Sequence, residues 1–444
     1  MAADDDALDP IITAALATLR AEDPSAADDA EAALEWVAGE NGLAFITQER
    51  IQYYLWYSLP LKWMTDIDHK LAIVAALGRA LDLLGLPRYA AICRSDTTSD
   101  ILRAYEEDDG RGLKAFHGAD TASGIRPPDL PEFEWGSTMG WEESRALSST
   151  ADFLELAVAG GDLVPGAQGW RSRQQELVRA HLNRPRGELA GQTLAQAILT
   201  ERIEAWLASR RSETRRQLLS SIANRFLHPI ELPAGDPLPL MRWLLDQLAD
   251  GIPLTQTGNL SQGFVQAAAD RFGWDFSRPP RSEDDLYDLH QLRHLAQRLG
   301  LARRSGRKLA LTNRGRAQVG DPGVLWRSVA RGVFGDNAFH IFAGELFLAL
   351  LADTELMPYD DINATVRQAV AEEGFRQTRT GEPADERDVS WAIHHTLNMG
   401  RALGLLSVGG DWRDRSYGLT DVGKATALEA LRARATGPHT SAWG

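Results

Sequence analysis

The chain has 444 residues, 44% of them hydrophobic and 25% charged, with 62 acidic residues against 47 Lys and Arg for a formal charge of −15. This composition excludes a wholly disordered or fibrous chain and suggests several domains. The single cysteine, Cys93, excludes an intrachain disulfide framework or a cysteine-based zinc finger and fits a reducing, cytoplasmic setting.

Taken in chain order, residues 1–40 form an acidic, Ala-rich segment with eleven acids against Arg20 alone. Its start, Met1-Ala2-Ala3-Asp4-Asp5-Asp6, is the opposite of a basic leader. Residues 41–125 read as a helical domain. Ile46, Ile51, Tyr54, Leu55 and Leu59 follow a helical period that Pro60 is expected to break. A second stripe from Ile67 to Leu84 stops at Gly85 with Pro87 beyond. A helix over 98–105 precedes an expected turn at Asp108-Asp109-Gly110. The Pro- and Trp-rich stretch 126–145 reads as a linker. Residues 146–230 form a second helical domain, with helices over 151–159, 174–182, 193–209 and 212–227. Thr193-x-x-Gln196 has the spacing of a capping box. The proline-rich 229–239 is the expected boundary between the two halves.

The C-terminal half contains an internal repeat, 238–336 and 337–433. Arg298-Leu299-Gly300-Leu301 pairs with Ala402-Leu403-Gly404-Leu405, and Leu311-Thr312-Asn313-Arg314-Gly315-Arg316-Ala317 pairs with Leu419-Thr420-Asp421-Val422-Gly423-Lys424-Ala425. Between these motifs lie the turn dipeptides Ser305-Gly306 and Gly409-Gly410, where glycine permits the positive φ of a tight hairpin. A helix leading into LGL, a small hairpin, then LTxxG[RK]A resembles the winged-helix superfamily of helix-turn-helix domains. The resemblance covers about residues 238–320 and 339–432 and implies a recognition helix before each hairpin, the hairpin being the wing. The helical N-terminal half resembles uncharacterised proteins of high-GC bacteria, which implies no activity. The expected fold class is therefore mainly α: a multi-helical N-terminal half, then two tandem winged-helix-like domains with small β-hairpins.

A folded acidic protein repels phosphate unless its basic residues are gathered in one place. Residues 291–331 gather ten bases against Asp321 alone; a milder excess of eleven bases over five acids runs from Arg171 to Arg225. On the winged-helix resemblance, residues 284–299 are the first recognition helix, with Leu286, Leu289, Leu292, Leu295 and Leu299 facing the core. Candidate anion or nucleic-acid contacts are Arg293 and Arg298 on that helix, Arg303, Arg304, Arg307 and Lys308 on the wing, and Arg314 and Arg316 after it. The acids Glu283, Asp284, Asp285 and Asp288 at its start argue against DNA and for a helix packed within the protein.

The second wing, with Asp411, Trp412, Arg413, Asp414 and Arg415, and its helix over 389–403 suggest a protein contact or a homodimer surface. The acidic segment 1–40 is a candidate intramolecular mask for the basic wing.

No phosphate loop, HExxH, GxSxG or GxGxxG pattern occurs, and the helical pair His290/His294 lacks a third ligand. No catalytic residue, cofactor or metal ligand is assigned. No apolar run is long enough to span a membrane. The expectation is a non-enzymatic regulatory or interaction protein that binds an acidic protein surface or DNA. The alternatives are a DNA-binding transcriptional regulator or an enzyme with a site between the halves. The cluster Phe45, Tyr53, Tyr54, Trp56, Tyr57 and Trp63 reads as core or as a ligand groove.

Overall fold

A computed structural model describes residues 9–273, 279–411 and 414–439, and in it the chain is mainly α, with two small antiparallel sheets of three strands each. Two compact units form, Met1–Ile198 and Leu199–Gly444.

Unit 1 opens with α1 (Pro10–Glu22) and α2 (Pro24–Ala38). Asp9 and Asp23 cap them by accepting the backbone N–H of Ile11 and Ala26. Ile12, Leu16, Leu19, Ala27, Leu34 and Val37 are fully or almost fully buried. Their acids are engaged locally: Arg20 pairs with Asp28 and Glu31, Arg79 with Glu22 and Asp23, and His69 with Asp29. The masking expectation for residues 1–40 needs an acidic segment free to leave, whereas α1 and α2 are core elements. Residues 1–8 lie outside the described residues.

Next come α3 (Gln48–Tyr53), a widened π turn over Tyr54–Ser58 and α4 (Leu59–Lys62). The helix therefore runs through Pro60 instead of breaking there. The wide turn absorbs the missing proline N–H. The aromatic cluster splits, with Tyr54 and Trp56 buried while Phe45 and Tyr53 face outward. Then follow α5 (Ile67–Leu83), α6 (Pro87–Cys93), α7 (Asp96–Glu107) and α8 (Asp109–Ala122). Asp108 is the N-cap of α8, so the expected acidic turn is a helix start. Burial pushes the Cys93 thiol up to about 12.

A second cluster of unit 1 gathers Leu130, Leu154, Val178, Leu182, Leu194 and Ile198. It is built by α9 (Trp141–Gly160), α10 (Trp170–Leu182) and the start of α11 (Leu194–Ala208). Thr193 and Gln196 form the expected capping box at 3.0 and 3.1 Å. The proline-rich stretch 126–140 is ordered on this cluster, because buried Gln174 donates to the carbonyls of Gly124 and Arg126 at 2.8 and 3.0 Å.

Unit 2 begins within α11, not at the proline-rich 229–239. The reason is α12 (Glu213–Ala223), which packs on helices of the second repeat. Its Arg215 and the second repeat's Glu345 form a fully buried pair at 2.9 Å, and Glu345 also accepts from Trp206 and Arg434. In repeat 1 the order is α13 (Pro239–Gln247), β1 (Ile252–Pro253), α14 (Gln262–Phe272), α15 (Tyr287–Arg298), β2 (Ala302–Ser305), β3 (Lys308–Leu311), α16 (Asn313–Val319) and α17 (Pro322–Arg331). In repeat 2 it is α18 (Ala338–Ala352), β4 (Met357–Pro358), α19 (Tyr359–Glu373), α20 (Glu386–Ala402), β5 (Leu406–Gly409), β6 (Ser416–Leu419) and α21 (Asp421–Thr436). The sheets have matching strand orders, β1-β3-β2 and β4-β6-β5.

The repeated motifs have one physical meaning in both copies. Gly300 and Gly404 take φ of +66° and +73° after α15 and α20. The next N–H, of Leu301 or Leu405, then reaches back to the carbonyl of Ala296 or Gly400 at 2.8 Å, closing a Schellman stop. After each hairpin, Thr312 or Thr420 caps the next helix by accepting the N–H of Gly315 or Gly423 at 3.0 Å. The two repeats share one continuous core, tied further by Trp326 Nε1 donating to Thr426 Oγ1 at 2.9 Å. Among the described residues no helix is long and apolar enough to cross a membrane.

Candidate functional site

The first hairpin grows directly from α15. Leu286, Leu289, Leu292 and Leu295 are buried as the helical period requires, and Leu299 is partly buried. After the Schellman stop, β2 pairs with β3 in the register Arg303↔Ala310 and Ser305↔Lys308, leaving Gly306 and Arg307 as the turn. On β3, Leu309 and Leu311 are buried, which holds the strand on the core and turns Lys308 out.

The structure divides the eight candidate cations into two groups. Arg293 and Arg298 serve the fold. Arg293 bridges buried Glu283 and the Gly258 carbonyl, the latter at 2.8 Å. Arg298 binds Asp336 at 3.1 Å and the Gly332 carbonyl. The other six, Arg303, Arg304, Arg307, Lys308, Arg314 and Arg316, are exposed. Among the described residues none of the six pairs with a carboxylate. Arg304 donates to the Gly306 carbonyl at 3.1 Å and Arg316 to Asn313 Oδ1 at 2.8 Å. Of the remaining bases in 291–331, Arg327 and Arg331 act on buried Glu429.

The acids before α15 are largely consumed by the fold. Glu283 is 0% exposed and accepts the Leu260 N–H at 2.8 Å. Burial pushes its carboxyl up, but His290, the Leu260 N–H and Arg293 together outweigh that and hold it below the usual range. Asp285 completes a capping box with Ser282. Asp288 pairs with Arg401 of α20 at 2.9 Å. Asp284 and Asp285 are both exposed, and of these acids only Asp284 has no partner among the described residues. Along α15 the neighbour is α20, the equivalent helix of the other repeat. The helix starts at Tyr287 after a short 3-10 turn over Glu283–Asp285, slightly later than the expected 284.

His290 and His294 are neighbours on α15, with ring centroids 4.3 Å apart. Among the described residues no three His, Cys, Asp or Glu side chains converge as a metal site. On α20, Trp391 is 66% exposed. The tip residues Trp412 and Arg413 of the second hairpin lie outside the described residues.

Sequence reasoning could not separate Arg293 and Arg298 from the outward six. The partners of Arg293 lie ten and 35 residues back, and those of Arg298 34 and 38 residues ahead in the chain. The one usable signal is Glu283 itself, an acid just ahead of a strongly apolar helical stripe.

Residues 240–324 match the family described as the Y4jL N-terminal domain. The match runs from α13 into α17 and includes all eight candidate residues. No curated protein and no solved structure matches the chain.

Proposed function

We propose that the chain is a non-enzymatic binding protein, regulatory or scaffolding in role, whose first repeat is a winged helix that holds an anionic partner through its hairpin and α16. The observation that carries this reading is the set of six exposed cations, Arg303, Arg304, Arg307, Lys308, Arg314 and Arg316, with no carboxylate partner among the described residues. Six unpaired cations on one hairpin and the helix after it cost self-repulsion that an anion relieves. Glu283 and Asp288 are paired with Arg293 and Arg401, so these two offer little repulsion to such an anion.

Because α15 lies along α20, the hairpin carries the contact more than the helix does. This favours phosphate oxygens over base edges, and hence a sequence-tolerant grip on nucleic acid. An acidic protein surface is the other partner with matching chemistry. The cytoplasmic setting expected from the single buried cysteine suits either.

The test replaces Arg303, Arg304, Arg307 and Lys308 together by Ala and titrates random duplex DNA by fluorescence anisotropy. The expected result is binding by the native chain at low salt and a large loss in the variant. Native binding that the variant retains would overturn the wing assignment. No duplex binding at low salt would remove nucleic acid and leave the acidic protein surface.

A further inference from the structure

We propose that unit 1 carries a second, separate site: an aromatic-walled groove that binds an elongated alkylammonium ligand, of the polyamine class, through Glu49. The groove encloses about 660 Å³ and is built by α3, α8, α9, α10 and the proline-rich stretch 126–139. Its aromatic walls are Tyr53, Phe116, Trp135 and Trp170. They come from four different parts of the chain, and each is locked. Tyr53 stacks on Tyr57 at 5.0 Å, and Tyr57 in turn meets Phe116 at 5.8 Å. Trp135 is pinned by its Nε1–H to the Pro128 carbonyl at 3.3 Å and by Asp129, which accepts its backbone N–H at 2.9 Å. Trp170 already carries a cation on its face, the Arg171 guanidinium at 5.1 Å from the ring centroid. Aromatic faces attract cations, and more strongly once water is displaced.

The charged lining decides which ligand fits. Arg126 is neutralised by Asp120 at 2.6 Å. Glu49, the second residue of α3 and one turn from Tyr53, is exposed at the groove's edge and has no hydrogen-bond or ion-pair partner among the described residues. The helix start favours an acid there only weakly. Against that, protein walls and the nearby carboxylates Asp152, Asp120 and Glu155 push its carboxyl up, with Arg126 opposing. The lining carries Glu49, Asp120 and Asp129 against Arg126 and Arg171; Arg126 is taken by Asp120 and Arg171 lies over Trp170, which leaves Glu49 as the unpaired acid facing the aromatic walls. An anionic ligand would meet Glu49 unpaired, and a neutral one would leave it so. A protonated amine satisfies the carboxylate, while its alkyl chain covers the aromatic walls.

The experiment is isothermal titration of spermidine into the full chain, with 1,8-octanediol as a neutral probe of similar length. Because the whole chain is acidic, Asp68→Asn on the exposed face of α5 serves as the control for diffuse attraction. The expected result is saturable 1:1 binding of spermidine and none of the diol. Glu49→Gln should weaken binding by on the order of tenfold or more, and Asp68→Asn should leave it unchanged. Tyr53→Ala, at a half-exposed position, is the second variant and should weaken binding in a chain that melts normally. Binding should also fall with acidification at a higher pH than an ordinary glutamate would give, as Glu49 takes up its proton among Asp152, Asp120, Glu155 and Arg126. Absence of saturable spermidine binding would overturn the proposal, as would equal weakening by Glu49→Gln and Asp68→Asn. Failure here leaves the hairpin reading untouched, since that site lies in unit 2.

Discussion

Glu283 shows how one buried residue converts a charge run into architecture. It sits at 0% exposure with Arg293, whose own side chain is only 12% exposed. Removing one member of such a pair leaves the other charge without a partner, at a cost of about 3–5 kcal/mol. Glu283→Gln should therefore lower hydrogen-exchange protection across repeat 1 by roughly that free energy at neutral pH. The pH dependence has a definite sign. The folded carboxyl titrates below its unfolded value of about 4.3, so the unfolded chain binds the proton more readily. Its stabilisation is fully present above that pH and is lost as pH falls towards the folded value. The native chain and Glu283→Gln should converge in urea stability as pH drops from 5 to 3, and a gap that stayed constant would contradict the account. At this scale the sequence was partly legible. One-sided charge pointed to the 291–331 stretch, and its six outward cations follow from that. The roles of Arg293 and Arg298 did not, because buried partners distant in sequence leave no local trace.

The helix stops, caps and hairpins were the most legible elements, since each depends on a few neighbouring residues. Thr193 with Gln196, and the two LGL and LTxxG motifs, all form as their local chemistry requires. The glycine of LTxxG is explained by packing. A Cβ on Gly315 would collide with the Leu301 carbonyl oxygen, and one on Gly423 with the Leu405 carbonyl oxygen. Both are backbone atoms that accept the N–H of Thr312 or Thr420 at 3.0 Å, so neither can yield cheaply. Gly315→Ala and Gly423→Ala should each destabilise unit 2 by roughly 1–3 kcal/mol, the usual cost of overpacking. Thermal melting should show a lower midpoint for both, and unchanged midpoints would refute the close approach. Pro60 was misread for an instructive reason. A proline breaks a helix only where the lost hydrogen bond is not absorbed, and the wide turn over Tyr54–Ser58 absorbs it.

At the level of the whole chain, the boundary at the proline-rich 229–239 was the least legible feature. Proline marks a change of direction, not a change of core. Residues 199–237 belong with unit 2 because Arg215 reaches Glu345 and Phe226 is fully buried in the unit 2 cluster. A fragment covering 199–444 should unfold cooperatively in urea, and one beginning at 238 should be several kcal/mol less stable, since Glu345 then loses Arg215 and Trp206. Equal stability of the two fragments would place the boundary at the prolines after all. The tandem repeat was legible as pattern, yet its consequence was not: equivalent helices α15 and α20 pack together and the two copies share one core. That packing moves the weight of the anion-binding reading from helix to hairpin.

If the first hairpin meets anionic oxygens electrostatically, as proposed, binding must weaken steeply as salt rises. With log K for duplex DNA followed against log salt, contact with about four to six phosphates gives a slope of roughly −4 to −5. The native chain should show that slope, and replacing Arg303, Arg304, Arg307 and Lys308 by Ala should make it shallower by about three to four. Equal slopes for the two proteins would contradict it.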